Sequence, residues 1–233
     1  MRTRIYHITK FQDNSSYIFF NGCNWDCDFC IMKRFKYDIH LEKEVQADNF
    51  KYIDVETLMD ILLQNNIIEV FLGGGEPTID PSLPLILERL KMKDIRVNLL
   101  TNGELLNSRI VSLVDRISFS IKSLDENTHF MITKRSNLRS IENLKKFFNE
   151  KFTFETVYTR ELGCRNVIEI AEFLESFGKN LILRIDPLIP VGNLFTPPPE
   201  YDLNECINHI NSRYSVKAYR IKGKGKNAVV LYP

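Results

Sequence analysis

The chain has no apolar run near the roughly 18 residues that cross a bilayer, so no membrane-spanning helix is expected. Its opening residues, Met1 to His7, contain no apolar core, so no secretory signal is expected either. A surplus of one charge is also missing. The 31 Lys and Arg stand against 30 Asp and Glu, which argues against a general polyanion binder and makes nucleic acid an unexpected partner. Cysteine is scarce, at five residues. With no export signal, reduced thiols and a cytosolic location are expected. Cys164 and Cys206 stand alone and read as buried free thiols. No linker, repeat or low-complexity segment interrupts the stretch from Arg4 to Asp186, and at this length one domain is the default.

The other three cysteines share one stretch, Asn21-Gly22-Cys23-Asn24-Trp25-Asp26-Cys27-Asp28-Phe29-Cys30. It follows Ser16-Tyr17-Ile18-Phe19-Phe20, which reads as a buried strand. A structural zinc site wants four ligands, one more than this loop supplies. A disulfide framework would leave one thiol over. An odd set of soft thiolates suits an iron–sulfur cluster with one iron left for a non-protein ligand. The plain alternatives are a chance cluster and a zinc knuckle completed by His40.

Downstream, apolar runs alternate with helical periods. Strands are expected at Tyr17 to Phe20, Ile67 to Leu72, Ile95 to Leu100, Arg116 to Lys122, Phe152 to Thr159 and Asn180 to Asp186. Helices are expected at Val55 to Gln64, capped by Asp54, and at Pro81 to Met92, Asn107 to Val114 and Ser140 to Glu150. A further helix, Val167 to Phe177, would be capped by Asn166. Serial β-then-α units predict parallel strands covered by helices. The expected fold is α/β, a partial (βα)6 TIM-like barrel over residues 1–195 with a small C-terminal α+β extension over 196–233. That extension would pack on the core as a helix capped by Asp202, then a hairpin of Tyr214 to Ile221 and Ala228 to Tyr232. The hairpin tip, Lys222-Gly223-Lys224-Gly225-Lys226, reads as a basic loop, more a solvated turn than an anion contact.

In folds of this kind ligands collect at the carboxyl ends of the strands. The cysteine loop falls there, and so does Phe71-Leu72-Gly73-Gly74-Gly75-Glu76-Pro77. Glycines let a backbone approach a ligand closely, and Glu76 can accept from an ammonium group. The two motifs together resemble the radical S-adenosylmethionine (SAM) superfamily, with its C-x3-C-x-aromatic-C loop and a G-G-E-P turn one βα unit later. The resemblance implies that Cys23, Cys27 and Cys30 bind one 4Fe–4S cluster and form the catalytic centre. It implies that SAM takes the open iron, that Gly74, Gly75, Glu76 and Pro77 hold its amino group, and that Phe29 lies near its adenine. In that family reductive cleavage of SAM gives a 5′-deoxyadenosyl radical, which abstracts hydrogen from a substrate.

A narrower resemblance, to the glycyl-radical-enzyme activases of the pyruvate formate-lyase activating group, rests on the offsets of Lys122, His129, Thr133, Asn143 and Leu144. It implies that Lys122 reaches the SAM carboxylate. Thr101, Asn102 and Ser120 are strand-end groups placed to bond the ribose hydroxyls or that carboxylate, or to serve their own turns. His129 follows Asp125 and Glu126 at a helix start, where a structural role competes with catalysis. The pattern departs from the activases at Leu100 and Ser120, where they carry aspartates that help bind a monovalent cation. It departs again at Thr133-Lys134, at Cys30-Ile31-Met32, and after the last strand, where no histidine stands in Pro187 to Gly192.

The resemblance covers residues 15 to about 195 and implies an oxidoreductase fed by a reductant such as flavodoxin or ferredoxin. Two substrate classes compete within it. One is a backbone glycine of a glycyl radical enzyme, favoured by the Lys122–His129–Asn143 offsets and by the lack of thiols for an auxiliary cluster. The other is a small anionic molecule enclosed by Arg184 and the basic loop. Glu155 and Arg184, charged within the last two strands, either bridge each other or hold substrate. The reading of another class is a non-catalytic metal-binding interaction module, which leaves Gly74 to Pro77 without a purpose.

Overall fold

The computed structural model describes residues 2–33, 38, 40, 51–221 and 228–233, so the basic stretch 222–226 lies outside the described residues. Strands β1 (Ile5–Lys10) and β2 (Ser15–Phe20) pair antiparallel. From β2 onward one unit repeats. Helix α1 (Val55–Gln64) starts at Asp54, whose carboxylate accepts from Thr57 N, and it buries Val55, Leu58, Met59 and Leu62 at helical spacing. It leads to β3 (Glu69–Gly74), α2 (Leu83–Met92), β4 (Arg96–Thr101), α3 (Ser108–Leu113) and β5 (Arg116–Ser120). Two helices, α4 (Glu126–Thr133) and α5 (Leu138–Phe147), fill the next crossover before β6 (Phe152–Tyr158). Helix α6 (Gly163–Glu175) then leads to β7 (Ile182–Pro187).

Strands β2 to β7 are parallel neighbours in chain order. Parallel pairing needs a crossover between strands, and the crossover helices cover the outer face. Leu72, Leu99, Ile117, Phe154 and Leu183 point into that layer, in one apolar cluster with Leu58, Ile86, Ile110 and Ile170. The side chains between them, including Ser118, Glu155 and Arg184, therefore face the concave side. The open barrel lays its chemistry along that inner wall and at the strands' carboxyl ends.

Four expectations are corrected in the second half. Helix α7 (Glu200–Arg213) begins after Pro199, so Asp202 sits in its first turn and is not its cap. Helix α6 begins at Gly163, which places Asn166 inside it, and the Asn166 amide donates to the Lys122 carbonyl at 3.0 Å. The hairpin does not form. Strand β8 (Lys217–Tyr219) pairs in parallel with β7, while β9 (Val229–Tyr232) pairs antiparallel with β1 at the opposite edge of the nine-stranded sheet. Both edges offer unpaired backbone groups, and each takes one strand; apolar alternation reveals a strand but not its partner. Finally, Cys164 and Cys206 are joined as a disulfide, with Cα atoms 5.4 Å apart where α6 and α7 pack. That proximity is tertiary, and sequence separation conceals it. Among the described residues no helix is long and apolar enough to cross a membrane.

Candidate active site at the carboxyl ends of the strands

The cysteine loop is fastened from below by α4. Asp26 N donates to Thr133 O at 2.9 Å and Asp28 N to Ile132 O at 2.8 Å, which satisfies carbonyls at the end of a helix that have no partner within it. From the side, Trp25 Nε1 and Asn24 Nδ2 both donate to Glu104 Oε2, at 2.6 and 2.8 Å. Asn102 Nδ2 donates to Asn24 Oδ1 at 2.8 Å and lies 3.8 Å from Cys23 Sγ. The turn from Asn102 to Glu104 is in turn held by α5. Ser140 Oγ donates to Asn102 O, and Asn143 Nδ2 donates to Gly103 O and Glu104 O at 3.0 and 2.9 Å.

The third support is backbone on backbone. Gly75 N donates to Phe20 O at 2.8 Å and Glu76 N to Gly22 O at 2.9 Å. A Cβ at residue 75 would land on the Gly22 carbonyl oxygen, so only glycine allows this approach. Gly74 has φ +85°, a conformation that side chains disfavour. Glu76 is 2% exposed. Its Oε1 accepts from Thr78 N at 3.1 Å, Thr78 Oγ1 at 2.6 Å and Thr101 Oγ1 at 2.7 Å, and its Oε2 from Asn102 N at 2.7 Å. Burial pushes the carboxyl pKa up, and these donors pull against it. Glu76 thus ties β3 to β4, with Pro77 opening the short turn that it caps. Only Oε2 retains room for the ammonium donor anticipated from the sequence.

Lys122 Nζ donates to Ser120 Oγ at 2.6 Å. Burial raises the Cys27 thiol pKa, and the nearby Lys122 charge draws it back down. His129 is buried, its ring edge-on to Trp25 at 4.7 Å between centroids. Burial, aided by the Lys122 charge, drops its pKa to about 4 and keeps it neutral. Along the inner wall Ser120, Glu155, Arg184 and Tyr219 are successive cross-strand partners. Arg184 bridges to Glu155 through one Nη and to Asp186 through Nε at 2.9 Å.

A family model described as the radical SAM superfamily matches residues 17–175. The chain belongs to that superfamily. A putative glycyl-radical enzyme activating enzyme of Methanocaldococcus jannaschii is 29% identical over 74% of this chain and 66% of its own length. A probable GTP 3′,8-cyclase of Sulfolobus acidocaldarius is 30% identical over 74% of this chain and 55% of its own. The chain therefore spans about two thirds of the first relative and just over half of the second. In fold it is similar to Streptococcus suis SuiB bound to S-adenosylmethionine, with a TM-score of 0.65 and 19% identity over 86% of this chain and 48% of that one.

Radical SAM proteins carry a 4Fe–4S cluster and SAM, and the cysteine loop has the donor chemistry for the cluster. Among the described residues no three thiols, imidazoles or carboxylates converge tightly enough to hold a metal ion as they stand. The donor set nevertheless has the right character. Three soft thiols share one loop, and Trp25 N donates to Cys23 Sγ at 3.3 Å, the kind of N–H contact that tunes a cluster sulfur. Crowding around the sulfur pushes the Cys23 thiol up to about 12, with Glu76 and the other two cysteines adding to it, so a bound cation is what would keep it ionised. His40 is not available as a fourth ligand: it pairs with Asp38 at 2.7 Å and packs on Phe11 and Tyr17.

Phe29 is buried with Ile132, Leu188 and Phe195 beneath the loop. Thr101 and Asn102 spend polar groups on Glu76 and the turn, while Ser120 serves Lys122. Sequence reasoning missed Asn24, Glu104, Ser140 and Asp186. Asn24 and Glu104 stand beside motifs already noted, a faint signal; nothing in the sequence joins Ser140 to Asn102.

Proposed function

We propose that this radical SAM protein is an activating enzyme, one that takes a hydrogen atom from a backbone glycine of a partner polypeptide and so makes a glycyl radical enzyme. The observation that carries the reading is the use made of the activase-like offsets. Thr133 accepts from the cysteine loop, Asn143 holds the turn beneath it, His129 packs on Trp25, and Lys122 donates to Ser120 at the end of β5. A relative bearing the activating-enzyme name supports it.

Cys23, Cys27 and Cys30 would hold the cluster, which with SAM supplies reductive cleavage to methionine and a 5′-deoxyadenosyl radical. Gly74 and Gly75 would bring β3 against the cysteine loop and present their carbonyls to the SAM amino group, with Glu76 holding that backbone in place. Lys122, turning from Ser120, takes the SAM carboxylate by a charge-assisted bond. Phe29 and its apolar neighbours keep water from beneath the loop. The electron comes from a reductant such as flavodoxin or ferredoxin.

The test is anaerobic reconstitution followed by SAM, a reductant and a partner enzyme deuterated at glycine. Deuterium in 5′-deoxyadenosine and a glycyl-radical signal in electron spin resonance are expected. Fully loaded protein that makes no 5′-deoxyadenosine refutes the radical reaction; product without deuterium refutes the glycine substrate. A second reading, modification of a small anionic molecule, has the probable GTP 3′,8-cyclase behind it, and turnover of GTP in the same assay would favour it.

A further inference from the structure

The concave wall beside the proposed site contains one guanidinium and two carboxylates. Arg184 spends Nε on Asp186 and one Nη on Glu155, whose Oε2 also accepts from Ser118 Oγ at 3.4 Å. Glu155 Oε1 and Asp186 Oδ1 accept no hydrogen bond among the described residues. None of the three side chains is sealed off: 17% of Glu155, 23% of Arg184 and 36% of Asp186 remain exposed. The row lies on the inner face, since Leu183 and Ile185 between these positions pack into the helical layer. Ser120, the partner of Glu155 across the sheet, carries Lys122. The segment after β7 reaches the cysteine loop, Leu194 N donating to Asp28 Oδ2 at 3.2 Å, so Asp186 near the end of β7 and Glu155 on the neighbouring strand lie toward that loop.

We propose that Glu155, Arg184 and Asp186 select the substrate, accepting a group rich in N–H donors, such as a backbone amide, and rejecting phosphate or carboxylate. This rests on reading the inner wall as the substrate side of the proposed site. The arginine charge is outweighed by the two carboxylates bonded to it, and the trio keeps one negative charge over. If SAM occupies Lys122, no free cation among these groups is left to receive an anion. Two outward carboxylate oxygens are positioned to accept from an extended peptide that reaches into the barrel. Glu155 and Asp186 stand on adjacent parallel strands, two registers apart: Glu155 pairs with Arg184 and Asp186 with Val157. Repulsion between the residual charge and each phosphate charge about 5 Å away is worth roughly a hundredfold in affinity.

The test measures binding to reconstituted, anaerobic protein in the presence of SAM, with two probes. GTP binding is read by equilibrium dialysis, and the neutral peptide acetyl-alanyl-glycyl-alanine amide by ligand-observed NMR. The wild type is expected to bind the peptide and not micromolar GTP. Glu155→Gln with Asp186→Asn, a near-isosteric pair that turns the trio from one negative charge to one positive, is expected to lose the peptide at least tenfold and gain GTP by more than about a hundredfold. Asp186→Asn alone gives a smaller change in both directions and serves if the double variant unfolds. Micromolar GTP binding by the wild type, or no peptide signal, overturns the proposal; so does a correctly folded variant with unchanged preference. Binding is read without turnover, so a protein that makes no 5′-deoxyadenosine sinks the activity proposed above and leaves this result standing.

Discussion

Replacing Gly75 with alanine tests the contact on which the site's geometry depends. The added Cβ meets the Gly22 carbonyl oxygen and lies 2.8 Å from Phe20 O, both backbone atoms that cannot rotate away. Either β3 or the cysteine loop must shift, and the bonds Gly75 N to Phe20 O and Glu76 N to Gly22 O go with it. Two backbone hydrogen bonds contribute about 1 kcal/mol each, and overpacking adds about 1–3 kcal/mol, for a loss of about 3–5 kcal/mol. In a protein of this size that lowers Tm by between about 6 and 20 °C. Gly163→Ala is the control. Its Cβ meets nothing within 4 Å, and only its φ of +57° opposes the change, at about 1–2 kcal/mol. Thermal unfolding of the metal-free proteins followed by circular dichroism gives Tm, and iron analysis after reconstitution gives loop integrity. Gly75→Ala should fall further than the control and bind less iron. Equal shifts in the two variants, or full iron in Gly75→Ala, would refute the idea that this approach shapes the loop.

The His129 imidazole stays neutral in the fold down to about 4, whereas the unfolded chain takes up the proton from about 6.5 downward. Stability is therefore complete above about 6.5 and lost as pH falls to about 4, by about 3 kcal/mol. Urea midpoints of metal-free protein should show that slope in wild type and a flatter one in His129→Gln; parallel profiles count against it. Asn143→Leu leaves the Gly103 and Glu104 carbonyls without their donor, which should cost about 1–3 kcal/mol and speed iron loss to a chelator; unchanged release would dismiss the loop-holding role. Reducing the Cys164–Cys206 disulfide, with its separation of 42 residues, should lower stability by about 4 kcal/mol. Cys164→Ser should abolish the difference between urea curves with and without a thiol reductant, and a difference that persists would trace it to other groups.

Most of the barrel could be read from the chain because it is built from local rules. Ile67, Val70 and Leu72 are apolar because they pack into the helical layer, and Asp54 caps α1 as its side-chain chemistry dictates. Parallel order then follows from the short crossovers. What escaped depends on distance in sequence. Tyr214 to Ile221 and Ala228 to Tyr232 have the composition of strands, but only the completed sheet decides that their partners are β7 and β1. Asn166 has the right chemistry for a cap, and the chain uses its amide on Lys122 in place of a helix start. The site divides the same way. Cys23, Cys27, Cys30 and Glu76 sit in contiguous motifs, whereas the supports of those motifs, Ser140 on Asn102 or Gly192 packed against Asp28, join parts of the chain far apart.

The pairing of β9 with β1 sets an order of events during synthesis. Lys10 lies opposite Val229 and Ile8 opposite Tyr232, so the outer edge of β1 waits for a strand made much later along the chain. The cysteine loop and the glycines of β3 leave the ribosome on the order of ten seconds before that edge can close. During that interval the cradle exists on a sheet still missing a border strand. Formation of the cradle and closure of the sheet are then separate steps in the making of this protein, and the pairing of β9 with β1 marks the boundary between them.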